Sequence, residues 1–220
     1  MPEEQVLVIE TAVLEDIGTF HGLKTDISQY LSSIFAPGVP RFMPRSRAEQ
    51  SPEYKQLIPY VIMAHDGSLL SYVRGKRAGE SRLVGNRSIG IGGHINPVDD
   101  MPLLSSATDF SETYLAAVER EVAEEVEVDS AHSDRIIGLL NDNTNEVGRV
   151  HLGIVHLWNL AEPKVEKREQ MITQLAFTRP AELLADRESL ETWSRLCLDH
   201  INTLPDMPSA GLKTTTLFSP

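Results

Sequence analysis

Residues 116 to 129 read AAVEREVAEEVEVD and hold six acids against a single base, Arg120. Like charges three or four apart on a helix repel by roughly 0.2–0.5 kcal/mol per pair, so a helix that keeps them has a use for them. At about 3.6 residues per turn, Leu115, Val118, Val122 and Val126 fall on one apolar stripe. A rotation of about 100° per residue sets Glu121 and Glu125 on the flank of that stripe shared with Val118, and Glu124 beside them toward solvent. Arg120, Ala117 and Glu127 are expected on the far side. A solvated acidic face would account for Glu119 and Glu127, but it would be centred opposite the valines, where Glu121 and Glu125 are not. Carboxylates at i, i+3 and i+4 beside a core stripe converge on one point. An all-oxygen donor set selects a hard cation such as Mg²⁺ or Mn²⁺.

The same residues resemble a known family. REVAEEV, Arg120 to Val126, with Glu112 eight positions before Arg120, resembles the Nudix box, Gly-x5-Glu-x7-Arg-Glu-U-x-Glu-Glu-x-Gly-U, where U is aliphatic. Val122 and Val128 fill the aliphatic positions, and GIGGHI resembles the strand end that carries the first box glycine, here Gly93. Two departures stand out. Eighteen residues separate Gly93 from Glu112 instead of five, so the loop from Ile95 to Ser111 carries a thirteen-residue insertion. Glu127 also replaces the closing glycine, a residue that commonly turns left-handed after a helix. AEQSPEYKQLIPYV together with GIGGHINP further resembles predicted MutT-type phosphoesterases.

The resemblance implies an α/β (α+β) fold, a Nudix-type α/β/α sandwich with a mixed β-sheet. It implies hydrolysis of a nucleoside diphosphate linked to another group, or of a similar organic pyrophosphate, with Mg²⁺ or Mn²⁺ as cofactor. Carried over by position, the metal ligands are Glu121, Glu124 and Glu125, joined by an acid from the loop AEPKVEKREQ. Glu169 is preferred there over Glu166. Arg120 and Glu121 are the catalytic residues, Arg120 orienting a box carboxylate and Glu121 or a neighbour serving as base. Glu112 is structural. Arg74, Gly93 and His94 are candidate substrate-binding residues. His151 and His156, five apart on a strand, point to opposite faces and are expected to pack rather than share a metal.

The elements that must position these residues follow from patterning. QVLVIETAVL reads as a strand and TDISQYLSSIF as a helix capped by Asp26. APGVPRFMPRSRAEQSPEY, with four prolines, reads as an irregular connector. LIPYVIMAH and SLLSYVR flank Asp66-Gly67, a hairpin dipeptide. RSIGIGGHI is a further strand, and NPVDDMPLLSSATDF a loop leading to the acidic helix, where Asp109 and Glu112 fit a capping box. RIIGLL and RVHLGIVHLWNL flank the polar turn NDNTNEVG. MITQLAF is a late strand. ESLETWSRLCLDHI is a helix with Leu190, Trp193, Leu196 and Ile201 on its apolar face. The expected organisation is an N-terminal extension (1–56) packed on a Nudix domain (57–203), followed by a tail (204–220).

Composition bounds the partners. Thirty-two acids against twenty bases give a net charge of −12, which opposes a nucleic-acid backbone as ligand. A small anionic substrate then needs a metal ion or a local basic pocket to offset the field. A single cysteine, Cys197, excludes a disulfide framework. No stretch approaches the ~20 apolar residues of a membrane span, so a cytoplasmic protein is expected, with homodimers common in the family. Two other functions compete. One is a Nudix-fold nucleotide-binding or sensory module without hydrolysis. The other is diphosphate isomerisation, which would need a reactive cysteine near the site.

Overall fold

The computed structural model describes residues 3–75, 85–99, 110–168 and 172–201. They form a mixed α+β fold built on a mixed sheet. The strands are β1 (Gln5–Glu10), β2 (Gly22–Lys24), β3 (Arg41–Pro44), β4 (Tyr54–His65), β5 (Ser68–Arg74), β6 (Arg87–Ser88), β7 (Gly90–Gly92), β8 (Val126–Val128), β9 (His132–Asn141), β10 (His151–Leu160), β11 (Val165–Lys167) and β12 (Ile172–Thr178). The helices are α1 (Ala12–Ile17), α2 (Ser28–Ile34), α3 (Arg45–Ala48), α4 (Phe110–Glu125), α5 (Glu146–Arg149), α6 (Pro180–Ala185) and α7 (Thr192–Ile201). Among the described residues the main sheet runs β12-β5-β4-β10-β9-β2, and β11 and β8 form a separate ribbon. The chain divides into two compact units, Met1–Tyr60 with Gly92–Glu121 and Gly138–Ile154, and Val61–Ile91 with Val122–Ile137 and Val155–Pro220.

In the first unit β1 lies antiparallel between β3 and β4. Val6, Val8, Met43 and Ala48 close one core against Tyr54. The proline-rich connector is therefore not irregular: it holds β3 and α3. Pro44 supplies an extended residue where α3 begins, and among the described residues β3 pairs with β1 alone, an edge position that tolerates its flanking prolines. Ile27 rather than Asp26 occupies the N-cap of α2, without a side-chain cap. Leu7 N–H donates to the Ile95 carbonyl (3.0 Å), tying β1 to the segment after Gly93.

The turn NDNTNEVG is also more ordered than its composition suggests. Asp142 accepts from Thr144 N–H (3.0 Å), Thr144 Oγ1 (2.6 Å) and Asn145 Nδ2 (2.7 Å), and Asn145 caps α5 through Gly148 N–H (2.8 Å). Beneath it Lys55, 1% exposed, donates through Nζ to Asn143 Oδ1 (2.6 Å) and the Gly148 carbonyl (2.8 Å). Burial draws its pKa down to about 8, against the opposing pull of the Asp142 charge.

In the second unit Asp66 (φ 45°) and Gly67 (φ 72°) both turn left-handed between β4 and β5, with His65 facing Ser68. Two successive positive φ values fit a primed hairpin turn, as the Asp-Gly pair implies. β12 pairs β5 with a register shift between Thr173 and Ala176. α6 was not foreseen. α7 buries Ser194, Cys197 and Leu198, whereas Trp193 and Leu196 are only half-buried. The reason is polar: Glu191, itself buried, accepts from Ser88 Oγ (2.5 Å) and Ser194 Oγ (3.2 Å), and this draws the serine face inward. The loop AEPKVEKREQ contains β11. Among the described residues no helix is long and apolar enough to cross a membrane.

Candidate active site

α4 buries Tyr114, Ala117, Val118 and Val122, and leaves Leu115 half-buried. The buried face is thus turned from the expected stripe toward Tyr114, whose ring lies 5.3 Å from that of Phe35. Ala117 sits inside rather than on the far side. Arg120 comes inward as well, because it has partners there. Its Nε donates to Asp99 Oδ1 (2.6 Å) and its Nη2 to Asp99 Oδ2 (3.0 Å), a two-pronged grip on a carboxylate only 4% exposed. Nη2 also donates to the His94 carbonyl (2.9 Å), and Nη1 to Glu121 Oε1 (2.9 Å).

Asp99 is in turn fixed by its own backbone. Its Oδ2 accepts from Asn96 N–H (2.8 Å), and its N–H donates to the Asn96 carbonyl (2.9 Å), closing the short turn Pro97–Asp99. GGHINPVD therefore wraps around the Arg120 guanidinium. Asp99 was missed from the sequence. Its only signal was a position two residues beyond Pro97, inside an insertion with no counterpart in the box. Residues 100–109 of that insertion, Asp109 included, lie outside the described residues.

Gly92 and Gly93 serve different ends. A methyl group on Gly92 would stand 2.2 Å from the Pro59 carbonyl oxygen, so close backbone packing requires glycine there. On Gly93 it would stand 2.0 Å from Glu121 Oε2 and 2.3 Å from its carboxyl carbon. The Glu121 carboxylate occupies the space that any side chain at 93 would fill, with Arg120 holding its other oxygen.

His94 stacks edge-on to His151 at 5.6 Å between ring centroids. Burial, then the charges of Arg45, His151 and Arg120, lower its pKa to about 3, and burial lowers that of His151 too. His94 is thus neutral at physiological pH. A histidine that is neutral when folded and titrates near 6.5 when unfolded stabilises fully above that pH. The contribution is lost as pH falls toward 3, by up to about 1.4 kcal/mol per pH unit. Urea unfolding from pH 7.5 to 4.5 should therefore show a flatter decline for His94→Asn than for wild type. Equal slopes would refute the neutral imidazole. His156 has a different partner, its Nδ1 within 2.9 Å of Asp134 Oδ1.

Glu124 is exposed and Glu125 half-buried on the last turn of α4. Glu127 is not on the helix but on β8, facing Glu166 across the ribbon. Glu169 lies outside the described residues. Arg74 pairs through Nε with Glu191 (3.4 Å). Among the described residues no group of three His, Cys, Asp or Glu that could hold a metal is gathered. The carboxylates of α4 nonetheless suit a hard divalent ion by chemistry, since Mg²⁺ commonly takes one or two protein carboxylates and completes its shell with water and substrate phosphate.

The fold and the box residues point to one class of protein, and comparison with known proteins agrees. The chain is 33% identical to protein YmaB of Bacillus subtilis (strain 168) over 191 residues, which span 82% of this chain and 88% of that protein. It superposes on the crystal structure of Tm1382, a candidate Nudix hydrolase, with a TM-score of 0.73 and 28% identity, covering 91% of this chain and all of the other. No family model matches the sequence. The chain belongs to the Nudix hydrolase family, enzymes that hydrolyse phosphoric anhydrides.

Proposed function

We propose that this chain is a Mg²⁺-dependent pyrophosphohydrolase whose substrate is a nucleoside diphosphate linked to another group, or a similar organic pyrophosphate. The observation that carries this reading is the Glu121 carboxylate, held by Arg120 and seated on Gly93, at the head of the i, i+3, i+4 series Glu121, Glu124, Glu125. One or two of these glutamates would hold the divalent ion, with water and substrate phosphate completing its shell. When bound, the ion polarises a phosphoryl oxygen and lowers the pKa of water. Phosphoryl transfer otherwise asks a protein for position and charge neutralisation. Arg120 supplies position, fixing Glu121 and the His94 backbone from one guanidinium. Glu121 or a neighbouring carboxylate accepts the proton of the attacking water, and His94 offers a neutral ring N–H to a phosphate oxygen. The hydrolysis reading gains over isomerisation because Cys197 is fully buried and burial raises its thiol pKa far above the usual range.

The test is a panel of nucleoside diphosphate derivatives and simple organic pyrophosphates, each with Mg²⁺ and with chelator, scored by release of monophosphate products. Turnover of at least one compound, lost in chelator, is expected. Turnover that survives chelation would overturn the metal requirement. Tight nucleotide binding without turnover of any compound would favour the sensory module.

A further inference from the structure

The end of α4 lacks the glycine that closes the family's box, yet the helix stops cleanly. It passes from Glu125 directly into β8, and among the described residues the non-glycine positions with positive φ are Asp66 and Gln174, neither of them here. The last carbonyls of a helix must find donors elsewhere when no left-handed cap turns the chain back on them. Here they find Arg168. Its backbone N–H donates to the Glu125 carbonyl (3.0 Å), and its Nη1 donates to the Ala123 carbonyl (3.0 Å). Its Nη2 lies 3.5 Å from Glu127 Oε2, with side chains 50% and 61% exposed. Arg168 reaches this place because β11 pairs β8 in register, Lys167 facing Val126 and Glu166 facing Glu127.

We propose that Arg168, carried by the β8–β11 ribbon, replaces the closing glycine as the cap of α4 and acts as a positioning residue for Glu124 and Glu125. The inference rests on the proposed role of those carboxylates as metal ligands. Glu127, at the glycine's own position, is then the counter-ion that directs the guanidinium, and not a neutral loss. A cation at a helix C-terminus is also favoured by the helix dipole. Capping both Ala123 and Glu125 brackets Glu124, so the last turn cannot unwind without breaking a bond to Arg168.

Direct Mn²⁺ binding, read by the free-ion EPR signal, tests this without substrate. Arg168→Ala deletes the Nη1 bond to the Ala123 carbonyl and keeps the backbone bond to Glu125. Loss of outer support around a metal site commonly costs ten- to hundredfold in affinity, so the low end, a Kd raised about tenfold, is expected. Arg168→Lys, which keeps the charge and can reach one carbonyl, should recover part of the loss. Arg168→Ala combined with Glu127→Gly, which restores the family's cap, should recover more. Melting in chelator separates a purely structural cap, which would lower Tm and leave Kd unchanged. Wild-type Mn²⁺ binding with an unaltered Kd in Arg168→Ala overturns the inference alone. Absence of Mn²⁺ binding by the wild type overturns the metal reading and this inference with it.

Discussion

Glu125→Gln is expected to lower kcat by about two orders of magnitude, since the ion it is proposed to help hold would supply several kcal/mol of charge stabilisation. The same variant should change how the protein melts. Without metal it removes repulsion from neighbouring carboxylates and gains up to about 0.5 kcal/mol. With Mg²⁺ at a hundredfold excess over Kd, a ligand that binds only the folded state adds about 2.7 kcal/mol, and Glu125→Gln should lose most of that gain. The control is Glu119→Gln, because Glu119 is exposed on the same helix. Glu127 would be a poor control, since it lies on β8 and pairs with Arg168. Equal Mg²⁺ responses in all three proteins would mean general screening and no site.

The two adjacent glycines should part company on substitution. In Gly93→Ala the new methyl meets the far end of a side chain, Glu121 Oε2 at 2.0 Å, which can swing away at little cost in stability. What it loses is placement of the carboxylate proposed to act in catalysis, and misplacing such a group by about 1 Å can cost on the order of a hundredfold in rate. Activity should fall by that order while Tm barely moves. In Gly92→Ala the methyl meets backbone, the Pro59 carbonyl oxygen at 2.2 Å, so the chain itself must shift. That overpacking should cost about 1–3 kcal/mol and lower Tm by several degrees. Paired melts and rate measurements decide it. Loss of stability in both, or full activity in Gly93→Ala, would refute the separation.

The acidic helix was legible because its signal is local: charge, valine spacing and a Gly-Gly strand end can be read in one dimension. Its orientation was only partly so. Hydropathy favours Leu115 over Ala117 and Tyr114, but Phe35 and Asp99, from segments far away in the chain, turned the helix toward Tyr114 and Arg120. Asp99 could not be found by pattern, since a two-pronged partner for an arginine is chosen by three-dimensional proximity. The short strands β3 and β11 escaped for a different reason. Prolines at the ends of β3 and alternating charges along β11 are loop signals, and only pairing with β1 and β8 overrides them. The Asp-Gly hairpin needed no such help, because its backbone preference is carried by the two residues themselves.

Lys55 carries a consequence for chemical labelling of the protein. Acylating reagents attack the neutral amine, and a lysine whose pKa sits near 8 is neutral far more often near pH 7 than an ordinary surface lysine near 10.4. By intrinsic reactivity it should therefore be modified early. Its Nζ, however, is sealed beneath α5, bonded to Asn143 and Gly148. An amine disposed to react is thus held out of reach, so its acylation measures how often the α5 turn lifts away from β4.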